Sequence, residues 1–112
     1  MVVTLYNESG SLGELHRRTL AVLDGLGRPF EIVYVDDGST DGTFAILADL
    51  HAADHRVRAI RFKRNFGQHP AMHAGLSRAR GEIVVTMDGD LQNLPEDIPK
   101  LVAAVDAGDA VA

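Results

Sequence analysis

The densest group of possible metal ligands in this sequence follows an apolar segment near residue 87. Asp88 and Asp90 flank Gly89, and Gln92 comes two residues later. Mg²⁺ and Mn²⁺ prefer oxygen ligands of this kind and usually keep positions open for substrate phosphates. An Asp-Gly-Asp turn by itself is more often a solvated loop, but its place after an apolar strand favours a divalent-metal site. We therefore predict Asp88 and Asp90 as catalytic residues that hold a divalent metal, with Gln92 as a further ligand.

A second pair of acids, Asp36 and Asp37, opens a turn that is rich in Gly, Ser, Thr and Asp. Ser39, Thr40 or Asp41 could cap the helix that follows, and such a cap does not need two acids in front of it. A carboxylate here could instead accept hydrogen bonds from a nucleotide base or from ribose hydroxyls. The residues alone leave the capping and the nucleotide-binding interpretations equally open.

Two further groups have residue types that suit a nucleotide pocket. Tyr6, Asn7 and Glu8 combine an aromatic edge with polar side chains, and Arg64 with Asn65 offers a guanidinium that can pair with a phosphate in a bidentate way. Each group by itself is better explained as an ordinary loop. Arg64 belongs to a cluster of basic residues, most of which we expect on the solvated side of an edge strand.

The elements that must position these groups alternate along the chain. Four short apolar segments have the length of strands, namely residues 2–5, 30–35, 57–62 and 83–87. Helical periodicity follows each of them, over residues 12–26, 44–50, 70–79 and 95–105. Ser11 with Glu14 three residues on predicts a capping box at the start of the first helix.

This alternation predicts an α/β fold with a Rossmann-like parallel sheet and helices on both faces. Ligands of such sheets bind beyond the carboxyl ends of the strands. Every candidate group described above follows directly on one of the four predicted strands. We therefore expect all of them to converge on one edge of the sheet.

Composition excludes several other kinds of protein. The formal net charge of −5 and the pI of about 5.4 argue against a nucleic-acid partner. The absence of Cys excludes disulfides and thiolate metal sites. No apolar stretch approaches the roughly 20 residues that a membrane span needs. The His pairs 51/55 and 69/73 have helical spacing but no evident third ligand, so we do not predict a zinc site.

Three stretches, taken together in this order and spacing, resemble the family 2 glycosyltransferases with the GT-A fold. They are Val35-Asp36-Asp37-Gly38-Ser39-Thr40-Asp41, Arg64-Asn65-Phe66-Gly67-Gln68 and Met87-Asp88-Gly89-Asp90-Leu91-Gln92. The second and third are similar in particular to the polyprenyl-phosphate branch of that family. The resemblance covers nearly the whole chain, so residues 1–112 are identified as the nucleotide-sugar-binding half of such a domain.

The resemblance implies a role for each candidate. Tyr6, Asn7 and Glu8 would border the nucleotide, Asp36 or Asp37 would contact base or ribose, and Arg64 with Asn65 would shape the pocket. Asp88 would face the ribose or the metal, and Asp90 with Gln92 would hold Mg²⁺ or Mn²⁺. The donor would be a UDP- or GDP-type nucleoside-diphosphate sugar, the acceptor a polyprenyl phosphate at a membrane surface, and transfer would invert the anomeric centre.

The resemblance also implies a cytoplasmic location, at the cytoplasmic face of a membrane in the full-length family. Because the family continues past residue 112 with acceptor-binding segments, we expect this chain to bind donor without turning it over alone. A sheet that is cut short exposes an edge strand, which predicts possible self-association.

Two alternatives remain open. A phospho-acceptor receiver domain also has a doubly wound sheet, an acid pair and bound Mg²⁺, for which Asp36, Asp37 and Asp88 could serve, although its essential Lys would lie on a strand that this chain lacks. A non-catalytic module that binds nucleotide without metal, or that packs against a partner, is the other.

Overall fold

The four predicted strands form one parallel sheet in the computed structural model, which describes residues 1–79, 85–88 and 95–106. The strands are β1 (Val2–Leu5), β2 (Ile32–Asp36), β3 (Val57–Arg61) and β4 (Thr86–Asp88). Their order across the sheet is β3-β2-β1-β4, and each neighbouring pair is parallel. The predicted α/β class and the parallel sheet are thus confirmed.

Helices cover both faces of this sheet. They are α1 (Leu12–Gly25), α2 (Thr43–Ala53), α3 (Gln68–Arg78) and α4 (Ile98–Asp106), the last continuing from a 3-10 turn at Pro95–Asp97. Helices α1, α2 and α4 contribute to the larger apolar core, whereas α3 packs against the opposite face of the sheet. The helix that connects β3 to β4 therefore lies on the opposite face from the other three helices, over β1 and β2.

Alternation along the strands explains this division. Val3 and Leu5 of β1 join Tyr34 of β2 in the larger core, while Val2 pairs with Val33 and its neighbours under α3. Successive side chains of a strand point to opposite faces, so a strand that is apolar on both sides must be covered on both sides.

Helix α3 lies unusually close to the sheet at Gly75. A Cβ atom built there would come within 2.3 Å of Val2 Cγ1 and 3.1 Å of Val35 Cγ2. Real Cβ atoms essentially never approach that closely, so any larger residue would push the helix outward. This contact fixes the position of α3 and, with it, the loop that enters α3 from β3.

One polar pair is enclosed in the larger core. The hydroxyl of Tyr34 lies 2.7 Å from Nδ1 of His16, and both side chains are buried. Burial lowers the pKa of His16 and raises that of Tyr34. Each side chain therefore supplies the hydrogen-bond partner that the other would lack in an apolar core.

Two local predictions were wrong. Ser11 is the N-cap residue of α1 but forms no side-chain capping bond, because its backbone is close to helical and its hydroxyl donates to Oε2 of Glu8 at 2.8 Å. Strand β2 begins at Ile32 rather than at Phe30. The ring of Phe30 lies instead under the guanidinium of Arg56, 4.4 Å from its centroid.

Candidate functional site

The carboxyl ends of the strands bring the candidate residues to one edge of the sheet. Leu5 of β1 is paired with Asp36 of β2, and Asp36 is paired with Arg61 of β3. On the other side of β1, Thr4 is paired with Asp88 of β4. The loops that leave these strands therefore start side by side, as the sequence predicts.

The strand order places a switch point between β1 and β4. Strands β1, β2 and β3 follow each other outward in one direction, and the chain then returns to add β4 on the other side of β1. Open α/β sheets bind their ligands where the order reverses in this way. The loop beginning at Tyr6 and the carboxyl end of β4 at Asp88 flank that point.

The same order argues against the receiver alternative. Flavodoxin-like sheets, to which receivers belong, have the order 2-1-3-4-5, whereas the 3-2-1-4 order is that of a Rossmann-type half. Here β1 separates the acid pair of β2 from Asp88 of β4. The acids that a receiver would need together are on strands that are not neighbours.

Asn7 fastens the loop after β1 to the loop after β2. Its Oδ1 accepts a hydrogen bond of 2.8 Å from the backbone N–H of Thr40, and its own N–H donates to Oγ of Ser39 at 2.8 Å. Its φ angle of 53° lies in the left-handed region, where Asn is tolerated better than most residues. Its part is therefore structural, whatever it contacts in a ligand.

A second set of bonds ties the same two loops together. The N–H of Glu8 donates to Oγ1 of Thr43 at 3.0 Å, and the N–H of Ser9 donates to Oδ2 of Asp41 at 3.2 Å. Oδ1 of Asp41 also accepts from the hydroxyl and the N–H of Thr43. These bonds, above all the one from the Thr43 hydroxyl, lower the pKa of Asp41 to about 2.

Asp37 organises the loop after β3. Its buried carboxylate accepts from the N–H of Phe66 at 2.8 Å, from the N–H of Gly67 at 3.1 Å and from Nδ2 of Asn65 at 3.2 Å. Three donors from one loop converge on one charged group, so the loop has little freedom to move without breaking them. The predicted nucleotide contact of Asn65 must therefore share its amide with Asp37.

Gly38 allows this approach of the two loops. Its φ angle is 75°, and a Cβ atom there would lie 2.1 Å from the carbonyl carbon of Arg64 and 2.3 Å from the backbone nitrogen of Asn65. Only glycine has both the backbone freedom and the missing side chain that this contact requires.

Asp36 differs from its neighbour in its hydrogen bonds. Oδ1 accepts from the N–H of Ser39 at 2.9 Å, but Oδ2 is buried and has no hydrogen-bond partner. A buried acceptor without a partner is rare in folded proteins and costs free energy. The residue is fully buried at the carboxyl end of β2, on the edge where a ligand is expected.

Two aromatic side chains are exposed at this edge, Tyr6 at 46% and Phe66 at 50%. The guanidinium of Arg64 lies over the Phe66 ring, 4.7 Å from its centroid. Tyr6 thus has the free apolar surface that the predicted nucleotide border needs, and the cation of Arg64 is held near the same loops.

The basic residues before Arg64 differ in their surroundings. Arg61 and Lys63 are exposed on and beside the terminal strand β3, as the sequence predicts, whereas Arg56 and Arg58 are partly buried. Arg56 forms ion pairs with Asp54 and Asp24, and Arg58 pairs with Glu31. Periodicity does not reveal the pairings with Asp24 and Glu31, because these two acids belong to other segments of the chain.

The metal prediction stays a prediction. Asp88 ends β4 at the expected place, but Asp90 and Gln92 lie outside the described residues. Among the residues that the structure does describe, no three His, Asp or Glu side chains are grouped so as to hold a cation. His51 and His55 are not on one helix, since α2 ends at Ala53.

Comparison with known proteins decides the family. The model of the family "Glycosyl transferase family 2" matches residues 1–112. The chain belongs to this family. Two curated relatives of this family 2 chain are undecaprenyl-phosphate 4-deoxy-4-formamido-L-arabinose transferases. The one from Edwardsiella ictaluri is 48% identical and the one from Salmonella paratyphi A is 45% identical, each over 109 residues or 96% of this chain.

Solved structures agree with this assignment. This glycosyltransferase chain resembles the crystal structure of S. aureus TarS 1-349, with a TM-score of 0.73 and 29% sequence identity. The match covers 95% of this chain and 31% of the TarS chain. Related crystal structures contain UDP or UDP-GlcNAc. The GT-A fold of the sheet described above is thereby shown.

The chain spans about a third of the curated relatives that it matches, 34% of the Edwardsiella protein and 33% of the Salmonella one. In the part of the chain that the structure describes, no helix is both long and apolar enough to cross a bilayer.

Sequence reasoning missed the residues that hold the site together. Thr43 and Ser9 were not singled out, and Gly38 was named only within a longer stretch, yet all three connect the loops after β1, β2 and β3. The glycine directly after the acid pair was the one signal available, because a Gly following two acids indicates a turn with positive φ.

Proposed function

We propose that this chain carries the donor-binding site of a glycosyltransferase that moves a sugar from a nucleoside-diphosphate sugar to a polyprenyl phosphate. The observation that carries the proposal is that Tyr6 follows β1, Asp36 ends β2 and Asp88 ends β4, so that all three lie along the carboxyl edge of the sheet beside its switch point. The two curated relatives named above act, by their names, with undecaprenyl phosphate. The UDP complexes of TarS support a uridine nucleotide as the first donor to test.

Donor recognition falls to the loops after β1 and β2. The unpartnered Oδ2 of Asp36 can accept an N–H from the base, which would relieve the cost of leaving it unpaired. Because this oxygen is buried in the structure, contact requires the surrounding loops to move aside. The exposed Tyr6 ring then offers an apolar surface to the base or the ribose.

The acids after β4 suit a divalent cation by their donor chemistry. Asp88, Asp90 and Gln92 offer carboxylate and amide oxygens, the ligands that Mg²⁺ and Mn²⁺ prefer. A cation bound there would neutralise negative charge on the departing diphosphate. This fits the charge of the site, because Asp36, Asp37 and Asp41 form no ion pair among the described residues.

Transfer is a single displacement with inversion in this proposal. An oxygen of the acceptor phosphate forms a bond to the anomeric carbon, while the bond to the diphosphate oxygen breaks and its electron pair leaves with the nucleotide. The acceptor is already an anion, so the reaction requires no strong general base. The residues of this chain bind and orient the donor, and Asp88 lies at the edge where the diphosphate is expected.

Calorimetric titration of UDP and GDP tests the proposal, first with Mn²⁺ and then with EDTA. We expect binding that requires the cation and that falls at least tenfold in Asp90→Ala and in Asp36→Asn. Asp49→Asn, which alters an exposed acid of α2, is the matched control and should bind as the parent chain does. Binding that survives EDTA and Asp90→Ala would support the metal-independent module instead, and the absence of any binding would refute a working donor site.

A further inference from the structure

Charge is distributed very unevenly along this acidic chain. Residues 55–79, which form β3, the loop after it and α3, contain six of the eleven Arg and Lys residues and no Asp or Glu. The remainder of the chain therefore contains all sixteen acids. Since α3 covers one face of the sheet and β3 is at the end of the described strand order, residues 55–79 form a segment whose charged residues are all basic, at one side of the sheet.

The loop from Phe62 to Gly67 presents two of these cations without an acidic partner. Lys63 and Arg64 are exposed, and within the described residues neither forms an ion pair. Arg56 and Arg58, by contrast, are compensated by Asp54, Asp24 and Glu31 at the other end of β3.

The same loop exposes an aromatic side chain beside these cations. The Phe66 ring is half exposed and is held by an edge-on contact with Phe62, whose centroid is 5.5 Å away. Arg64 lies over its face. Exposed aromatic rings next to Lys and Arg are typical of surfaces that lie in the headgroup region of a membrane.

The loop is also rigid enough to act as a contact surface. Its backbone is held by the three hydrogen bonds to Asp37 and by the close approach of Gly38 to Arg64 and Asn65. It lies at the carboxyl edge of the sheet, on the same edge as the candidate donor site. A surface that contacts the membrane here would bring that site toward an acceptor anchored in lipid.

We propose that the loop from Phe62 to Gly67 docks on a membrane surface rich in anionic lipid, with Lys63 contacting headgroup phosphates and Phe66 entering the interface. The purpose of this docking rests on the proposed function, because only a lipid acceptor requires the donor site to face a membrane. Its evidence is separate, namely the segregated charge and the exposed ring. The acidic remainder of the molecule is repelled by the same surface, which orients the chain.

Flotation of the chain with vesicles tests this inference. Vesicles of phosphatidylcholine alone are compared with vesicles that also contain phosphatidylglycerol, at low and at high salt. We expect binding only with the anionic lipid, and loss of that binding at high salt because the attraction is screened. Each basic residue near such a surface contributes about fivefold in affinity, so Lys63→Glu should weaken binding roughly thirtyfold.

Matched variants separate the loop from general surface effects. Phe66→Ser should weaken vesicle binding about tenfold, whereas Leu76→Ser, which removes a similarly exposed apolar residue of α3, should not. Arg17→Glu makes the same charge change as Lys63→Glu on an exposed residue of α1 and should have little effect. Circular dichroism of every variant verifies that it is folded.

Equal losses in Arg17→Glu and Lys63→Glu, or equal binding to both kinds of vesicle, would overturn the inference. Concentration-dependent self-association that Lys63→Glu abolishes, without vesicle binding, would also overturn it and assign the loop to a protein contact. Nucleotide titrations on the same samples distinguish the two proposals. Vesicle binding without nucleotide binding supports the docking surface and refutes the donor site. Nucleotide binding without vesicle binding supports the donor site and refutes the docking surface.

Discussion

The acidic residues at the two ends of the sheet have different kinds of partner. At the amino ends of the strands, Asp24, Asp54 and Glu31 are ion-paired with Arg56 or Arg58. At the carboxyl ends, Asp37 and Asp41 accept hydrogen bonds from backbone N–H groups and hydroxyls instead. The first end is electrically neutralised, whereas the second holds its acids in place and leaves their negative charge uncompensated among the described residues.

This difference indicates what each end is for. Ion pairs at the amino end join α1, β2 and β3, and their charges are neutralised without any ligand. Acids that are fixed by neutral donors remain available to a cation, which is what a diphosphate site requires. Breaking the contacts at one end should therefore alter stability alone, while breaking those at the other should alter stability and ligand binding together.

The largest effect is expected at Gly38. Alanine there would force a Cβ atom against the backbone of Arg64 and would strain a φ angle of 75°, which we expect to cost about 3 kcal/mol or more. Urea denaturation measures the loss. Gly25→Ala is the control, because nothing lies within 4 Å of its Cβ position at the end of α1, and it should change the free energy of unfolding little. Equal stability of the two variants would mean that the loops do not approach as described.

The acid pair offers a sharper contrast between adjacent residues. Asp37→Asn removes the charge that accepts three hydrogen bonds from the loop after β3, and should lower the free energy of unfolding by about 2 kcal/mol. Asp36→Asn keeps the bond from Ser39 and replaces an oxygen without a partner, so it should change stability by less than about 1 kcal/mol.

Denaturation and UDP titration of both variants check this contrast. Asp36→Asn should lose nucleotide affinity while it stays folded. If Asp36→Asn proves to be the more destabilising of the two, the assignment of Asp37 as the residue that holds the loop is incorrect.

At the amino end, removal of an ion pair should have a small effect. Arg58→Gln breaks the contact with Glu31 and the hydrogen bond of 2.7 Å to the carbonyl of Arg78, and should cost about 1 kcal/mol. The part due to the ion pair should be less in 1 M salt, because that pair is only partly buried. Nucleotide affinity should be unchanged. A change in affinity would contradict the separation of the two ends.

The exposed Asp41 and the half-buried Asp54 permit the finest test, because hydrogen bonds lower the pKa of each to about 2. The principal donor is the Thr43 hydroxyl for Asp41 and the Arg56 guanidinium for Asp54. Both depressed pKa values contribute stability that is present above the usual value of 3.8 and is lost as the pH falls through 2.

Carboxyl-carbon NMR titration at low and high salt can distinguish the two causes. Salt should move the pKa of Asp54 upward, since it screens the guanidinium, and should leave that of Asp41 nearly in place. Thr43→Val should raise the pKa of Asp41 alone. A similar response of both acids to salt would show that the two ends are not held differently.

The sequence alone determined the order of elements, the parallel sheet and the edge on which the polar residues meet. Apolar runs of strand length alternating with helical periodicity leave few other arrangements, and parallel strands necessarily share a carboxyl edge. The acid pair, the Arg64 loop and Asp88 were placed on that edge because each follows a strand directly. This part could be predicted because it depends on neighbours along the chain.

Only the tertiary structure decided which of these residues are engaged with one another. Asp37 holds the loop after β3, whereas Asp36 keeps an oxygen without a partner. This difference depends on atoms from a segment some thirty residues away. The pairing of Arg56 and Arg58, and the need for glycine at position 38, likewise arise from contacts between loops. Periodicity records which face a residue occupies, but the hydrogen-bond partner is set by the distance between segments, which exists only in the folded chain.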